Sequence, residues 1–78
     1  MARLLLLGPA HEAAGTRHDE VEADTLGCAL AEAVARYGEG FRAILEVSQV
    51  WLNGVPARSD APVGPYDEIA VLPPVSGG

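Results

Sequence analysis

Asp24-Thr25-Leu26-Gly27-Cys28-Ala29-Leu30-Ala31-Glu32-Ala33-Val34-Ala35-Arg36-Tyr37-Gly38 carries the strongest local signal in the chain. Asp24 and Thr25 are good N-cap residues, because a short polar side chain can accept from a free N–H of the first turn. Leu26, Leu30, Ala33, Val34 and Tyr37 follow at i, i+4, i+7, i+8 and i+11, which is one face of a helix. Gly38 stands where a C-cap glycine belongs. The spacing predicts one long amphipathic helix over Leu26 to Tyr37. A helix with one apolar stripe must bury it against a second layer.

The flanking segments supply that layer. Ala2 to Gly8 reads as a strand closed by Gly8-Pro9. Its Leu4–Leu7 run is continuous rather than alternating, which predicts a central strand covered on both faces. Pro9 to Thr16 is mixed, with an Ala-rich centre suited to one helical turn. Arg17 to Ala23 alternates and reads as a hairpin partner of the first strand. After the helix, Gly38-Glu39-Gly40 breaks the chain. Phe41 to Leu45 is expected to form a short helical turn with Phe41, Ile44 and Leu45 inward.

Ser48 to Leu52 reads as a strand, and Asn53-Gly54 is a strong hairpin-turn signal. Val55 to Arg58 is the return strand at a sheet edge, since Pro56 has no N–H for a ladder. Ser59 to Pro65 is a connection. Asp67 to Leu72 is the last strand, and Pro73-Pro74 stops it. The expected fold is α+β: a mixed sheet of four or five strands with the helix packed across it. The first and last strands are the most apolar and are expected side by side at the sheet centre. Residues 1–73 form the expected domain, and 74–78 a flexible tail.

Composition excludes several function classes. The formal charge of −6 argues against nucleic acid, which needs a basic surface, and fits a partner with a basic groove. Cys28 is the only cysteine, so an intramolecular disulfide and an all-cysteine metal site are both ruled out. It reads as a small packed residue of the helix. This usage fits a reducing cytosol, and a cytoplasmic location is expected. No segment is long and apolar enough for a membrane span. His11 and His18 lie in or beside the first loop, with Glu12 and Asp19 nearby as the other candidate metal ligands; histidines so placed in a small domain are ordinarily just exposed, so no metal site is expected. No nucleophile stands with a base at a convincing spacing, and nothing supports an enzyme acting alone.

The tail is different. Pro73 and Pro74 stiffen its base in an extended form. Gly77 and Gly78 have no side chains, so such an end can thread a narrow channel. Pro74 to Gly78 reaches roughly 17 Å when extended. An α-carboxylate on Gly78 becomes an electrophile once adenylated, and attack by sulfur then gives a thiocarboxylate. The chain has no lysine; its five basic side chains are all arginine, so no ε-amine is present to consume the activated end.

Asp67-Glu68-Ile69-Ala70-Val71-Leu72-Pro73-Pro74-Val75-Ser76-Gly77-Gly78 resembles the C-terminal signature of the molybdopterin synthase small subunit and its MoaD/ThiS-type relatives. The apolar first strand, Glu12-Ala13-Ala14-Gly15 and Asn53-Gly54 fit the same family, so the resemblance spans the chain. It implies a ubiquitin-like β-grasp fold. It also implies that an E1-like enzyme with MgATP adenylates Gly78, and that a sulfur donor of the cysteine desulfurase or rhodanese type makes the thiocarboxylate. No cofactor is expected on the carrier itself. In the molybdenum-cofactor branch, the tail (Pro74, Val75, Ser76 and Gly77) enters the large synthase subunit, and sulfur passes to cyclic pyranopterin monophosphate. Partner contacts are implied for Leu7, Pro56 and Leu72. Val71-Leu72 stand where the family's last strand often ends in aromatic residues. A carrier for thiamine, cysteine or a sulfur-containing natural product therefore stays open. So does a β-grasp binding module with an inert tail.

Overall fold

The computed structural model describes residues 1–74. The elements run β1 (Ala2–Leu6), α1 (Pro9–Ala14), β2 (His18–Val21), α2 (Leu26–Tyr37), α3 (Glu39–Glu46), β3 (Gln49–Leu52), β4 (Val55–Pro56) and β5 (Glu68–Leu72). They build one sheet in the order β2-β1-β5-β3-β4. β1 and β5 pair in parallel, with Leu4 opposite Ile69 and Leu6 opposite Val71. The first and last strands are thus adjacent, as expected. The other pairings are antiparallel, so the sheet is mixed.

α2 has the predicted bounds. The Thr25 hydroxyl accepts from the Cys28 N–H at 3.2 Å. The connection before β5 supplies further acceptors. Leu26 N–H donates to the Ala61 carbonyl and Gly27 N–H to that of Ser59, at 2.9 and 2.8 Å. These bonds satisfy donors that every helix leaves free at its start, and they stitch the 57–67 connection to α2. Cys28 is exposed, not packed; it lies off the Leu26, Ala29 and Ala33 stripe that α2 buries.

Gly38 joins α2 to α3 with φ 95° and ψ −167°, a backbone region open to glycine almost alone. The chain turns there without a loop. α3 is longer than the single turn expected, because Glu39 and Gly40 belong to it. Arg42 pairs with Glu39 and Glu46 one turn away on either side, a surface pattern that supports short helices. Phe41, Ile44 and Leu45 do face inward.

The strands are shorter than the sequence suggests. β2 spans His18–Val21 rather than Arg17 to Ala23, and β4 stops at Pro56 rather than Arg58. Ser48 falls outside β3, and its hydroxyl donates to the Ile44 carbonyl at 2.6 Å at the end of α3. Asn53 and Gly54 have φ of 52° and 82°, the paired positive angles of a tight hairpin turn.

The core lies between the sheet and the helices. Ala2, Leu4, Leu6, Val21, Ile69 and Val71 come from the sheet, and Ala10, Leu26, Ala29, Ala33 and Phe41 from the helices. In β1 burial alternates, with Ala2, Leu4 and Leu6 buried, Arg3 exposed and Leu5 half-buried. The expectation that both faces of this strand are covered is therefore corrected. Helices cover one face only, and among the described residues no element lies across the other. A run of leucines cannot state which layer covers which side.

Candidate functional site

The uncovered sheet face collects side chains by strand alternation. Register sets Leu5 of β1 opposite Ala70 of β5, Ala70 opposite Trp51 of β3, and Trp51 opposite Pro56 of β4. These four form one apolar row across four strands. Leu5, Ala70 and Trp51 are half-buried and Pro56 is exposed; none belongs to the helix-side core. The next row holds Leu72 opposite Gln49. Continuing the β1–β5 register brings Leu7 beside Leu72, consistent with the Leu7 N–H to Val71 carbonyl bond at 3.4 Å. The row on the other side is charged: Arg3 pairs with Glu20 and with Glu68. An apolar band thus runs between a charged margin and the end of β5, where Pro73 is half-buried and Pro74 exposed.

Leu7, Pro56 and Leu72 all fall on this face. Leu5, Ala70 and Trp51, which sequence reading did not single out, complete it. The signal was present: Leu5 is two residues from Leu7, Ala70 two from Leu72, and a period of two puts each pair on one side. Trp51 is the only tryptophan; its indole N–H donates to the Gln49 side-chain oxygen at 3.1 Å. An amphipathic indole with its polar tip satisfied is a typical anchor of protein interfaces. Val75, Ser76 and Gly77 of the expected channel tail, and Gly78, lie outside the described residues.

One polar network holds the β3–β4 hairpin, and so Trp51 and Pro56, to the start of β5. Asn53 N–H donates to the Glu68 carbonyl at 2.8 Å, and the Asn53 side-chain oxygen accepts from the Glu68 N–H at 2.9 Å. The Asn53 amide also donates to Asp67 Oδ1 at 2.9 Å, while Gly64 N–H donates to Asp67 Oδ2 at 2.7 Å. The Gly64 N–H first, and then Asn53, hold the Asp67 carboxyl below its ordinary range. A depressed carboxylate stabilises the fold fully above its unfolded value and loses that contribution as pH falls through the folded one.

Asn53→Ala is expected to cost about 2 kcal/mol, roughly half from alanine at a positive φ and half from lost hydrogen bonds. It also moves the Asp67 titration upward. Asn53→Gly keeps the turn and shows the hydrogen-bond part alone. Urea denaturation and carboxyl NMR titration check both effects.

Other groups are set for structure. His11 lies in α1 and His18 in β2, on either side of the 15–17 loop. No group of three metal-ligating side chains is found among the described residues. Tyr37 donates to the Asp19 carboxylate, and its ring meets Phe41 edge-on at 5.2 Å. Burial, and then Asp19, push its phenol up to about 12.

A profile described as the ThiS family matches residues 4–78. SAMP1 from Haloferax volcanii is 28% identical, with 99% of this chain and 98% of that chain covered and a TM-score of 0.84. A chain of the complex of subunits 1 and 2 of the molybdopterin-converting factor from Helicobacter pylori 26695 is 26% identical. There the coverage is 99% and 97% and the TM-score 0.72. A chain of the Amycolatopsis orientalis BexX/CysO complex is 19% identical over 100% of both chains, with a TM-score of 0.85, and shares the fold. No curated protein matches the chain.

Proposed function

Because this chain belongs to the ThiS family of ubiquitin-like sulfur carriers, we propose that it delivers sulfur from a thiocarboxylate on Gly78, as the small subunit of a molybdopterin synthase. The observation that carries this reading is the uncovered sheet face. Its apolar row Leu5-Ala70-Trp51-Pro56 continues through Leu7 and Leu72 to the root of the tail. A docked partner gripping that face receives the segment after Leu72 directly at its surface. Roughly 17 Å of extended chain from Pro74 onward then carries Gly78 inside.

The chemistry runs stepwise on the partners. In an E1-like enzyme a Gly78 carboxylate oxygen attacks the α-phosphorus of MgATP and pyrophosphate leaves. The terminal sulfur of a persulfide on a cysteine desulfurase or rhodanese-type donor then attacks the acyl carbon and AMP leaves. A reducing thiol attacks the donor's cysteine sulfur in the resulting acyl disulfide, breaking the S–S bond, so the thiocarboxylate is freed and the thiol is oxidised to a mixed disulfide with the donor. The thiocarboxylate passes its sulfur to cyclic pyranopterin monophosphate in the large subunit. The carrier contributes position alone, and the absence of lysine keeps an internal ε-amine from intercepting the acyl adenylate. The pairing of subunits 1 and 2 in the Helicobacter pylori complex supports the choice of acceptor. The proposed compartment is the cytoplasm; no described helix is long and apolar enough to cross a membrane.

Trp51 makes the docking step measurable, since the only tryptophan of the carrier lies on the proposed face. Its emission is expected to shift to the blue when a tryptophan-free variant of the large subunit binds. Trp51→Ala is expected to weaken that complex by roughly 30-fold or more, the effect of losing an aromatic anchor. Circular dichroism should be unchanged, because Trp51 lies outside the helix-side core. An unshifted spectrum on binding, or full affinity in Trp51→Ala, contradicts docking through this face.

A further inference from the structure

β2 ends the sheet on one side, and an exposed edge strand ordinarily offers its outward N–H and C=O groups to any passing strand. The Leu6 N–H donates to the Arg17 carbonyl at 2.8 Å, so Arg17, Asp19 and Val21 turn their backbone groups toward β1. His18 and Glu20 turn theirs outward. Three of those four outward groups are already satisfied by side chains of this chain. The Thr16 hydroxyl donates to the His18 carbonyl at 2.9 Å. The Glu20 N–H donates to Asp19 Oδ1 at 2.8 Å. The Arg36 guanidinium, reaching across from α2, donates to the Glu20 carbonyl at 2.8 Å. Arg36 also pairs with Asp19 Oδ2 at 2.9 Å, so the two capping side chains fix each other, and the Tyr37 hydroxyl holds Asp19 from behind. The opposite edge is closed by other means: β4 has two residues, and Pro56 has no N–H to donate.

We propose that Asp19 and Arg36 form a seal on the β2 edge that blocks strand addition. The seal prevents two copies of this chain from pairing β2 to β2. It leaves the apolar face as the surface on which partners dock. The inference stands on the edge geometry and does not depend on the sulfur-carrier reading.

Amide hydrogen exchange on the unmodified chain tests it without any substitution. The Glu20 amide, capped by Asp19, is expected to exchange roughly tenfold more slowly than the His18 amide, which has no such cap. Equal exchange at the two positions overturns the seal. The double variant Asp19→Ala/Arg36→Ala removes it. Sedimentation velocity across a concentration series is expected to show a folded dimer for this variant, with new protection at the His18 amide. Tyr37→Phe removes a contact to Asp19 but leaves both caps, and is expected to stay monomeric. If the double variant loses its circular dichroism signal, Arg36→Met keeps the aliphatic stem and removes only the donor, and dimerisation is read there instead. A folded variant without the caps that stays monomeric at every concentration contradicts the proposal.

Discussion

Deletion of Gly78, or addition of one residue after it, is expected to abolish thiocarboxylate formation while the body of the protein stays folded. Every described core residue lies between Ala2 and Val71, so neither change touches a packed side chain. The sheet, its register and the apolar face are expected to give an unaltered circular dichroism spectrum and melting curve. The reacting atom, however, is displaced. One extended residue moves the carboxylate by roughly 3.5 Å, and shifts near 1 Å already cost about a hundredfold in a positioned reaction. Gly77→Val should fail for a second reason. A β-branched side chain next to the reacting residue widens a segment whose passage depends on having none. Loading at the normal rate in the deletion or the extension sinks the terminal-carboxylate mechanism.

Phe41→Ala is expected to have the opposite signature: the tail remains intact and the body is lost. Phe41 is fully buried and is the largest such side chain among the described residues. It anchors α3, whose other inward residues Ile44 and Leu45 are only partly buried, and its ring supports Tyr37 edge-on. Truncating a buried phenylalanine costs about 3–5 kcal/mol. A domain of this size has a total stability near the low end of about 5–15 kcal/mol, so most of it disappears. Urea denaturation should show a midpoint near zero denaturant. Phe41→Leu, which refills most of the volume, should cost under about 1.5 kcal/mol. A Phe41→Ala midpoint close to the parent's contradicts the assignment of Phe41 as the anchor of α3. Together the two experiments separate the body from the tail: one leaves a folded protein that cannot load, the other an intact tail on a body that cannot dock.

What was legible in the sequence follows the range of the interactions concerned. The bounds of α2 were readable because caps and the apolar stripe are local signals, complete within a few turns. The Asn53-Gly54 turn was readable for the same reason. The adjacency of β1 and β5 followed from their being the most apolar strands. α3 was underread because Gly40 argues against helix, while Arg42 with Glu39 and Glu46 argues for it. Leu4–Leu7 was overread, since its length gives no account of which face the helices take. The charged and polar ties were out of reach. Asp19 meets Arg36 and Tyr37 from 17 and 18 residues away, and Asn53 meets Asp67 from 14. Only the folded register brings such groups together, and the same register gathers Leu5, Ala70, Trp51 and Pro56 into one row.

The carrier reading rests on Gly78, and intact-mass measurement reaches it most directly. The chain is incubated with an E1-like activating enzyme, MgATP and a sulfur donor, beside a reaction lacking ATP. A population about 16 Da heavier, with sulfur in place of one oxygen, is expected in the complete reaction alone. Fragmentation should assign the added mass to Gly78. An unshifted mass in a mixture that loads another ThiS-family carrier, or an added mass assigned to any residue other than Gly78, contradicts the carrier reading.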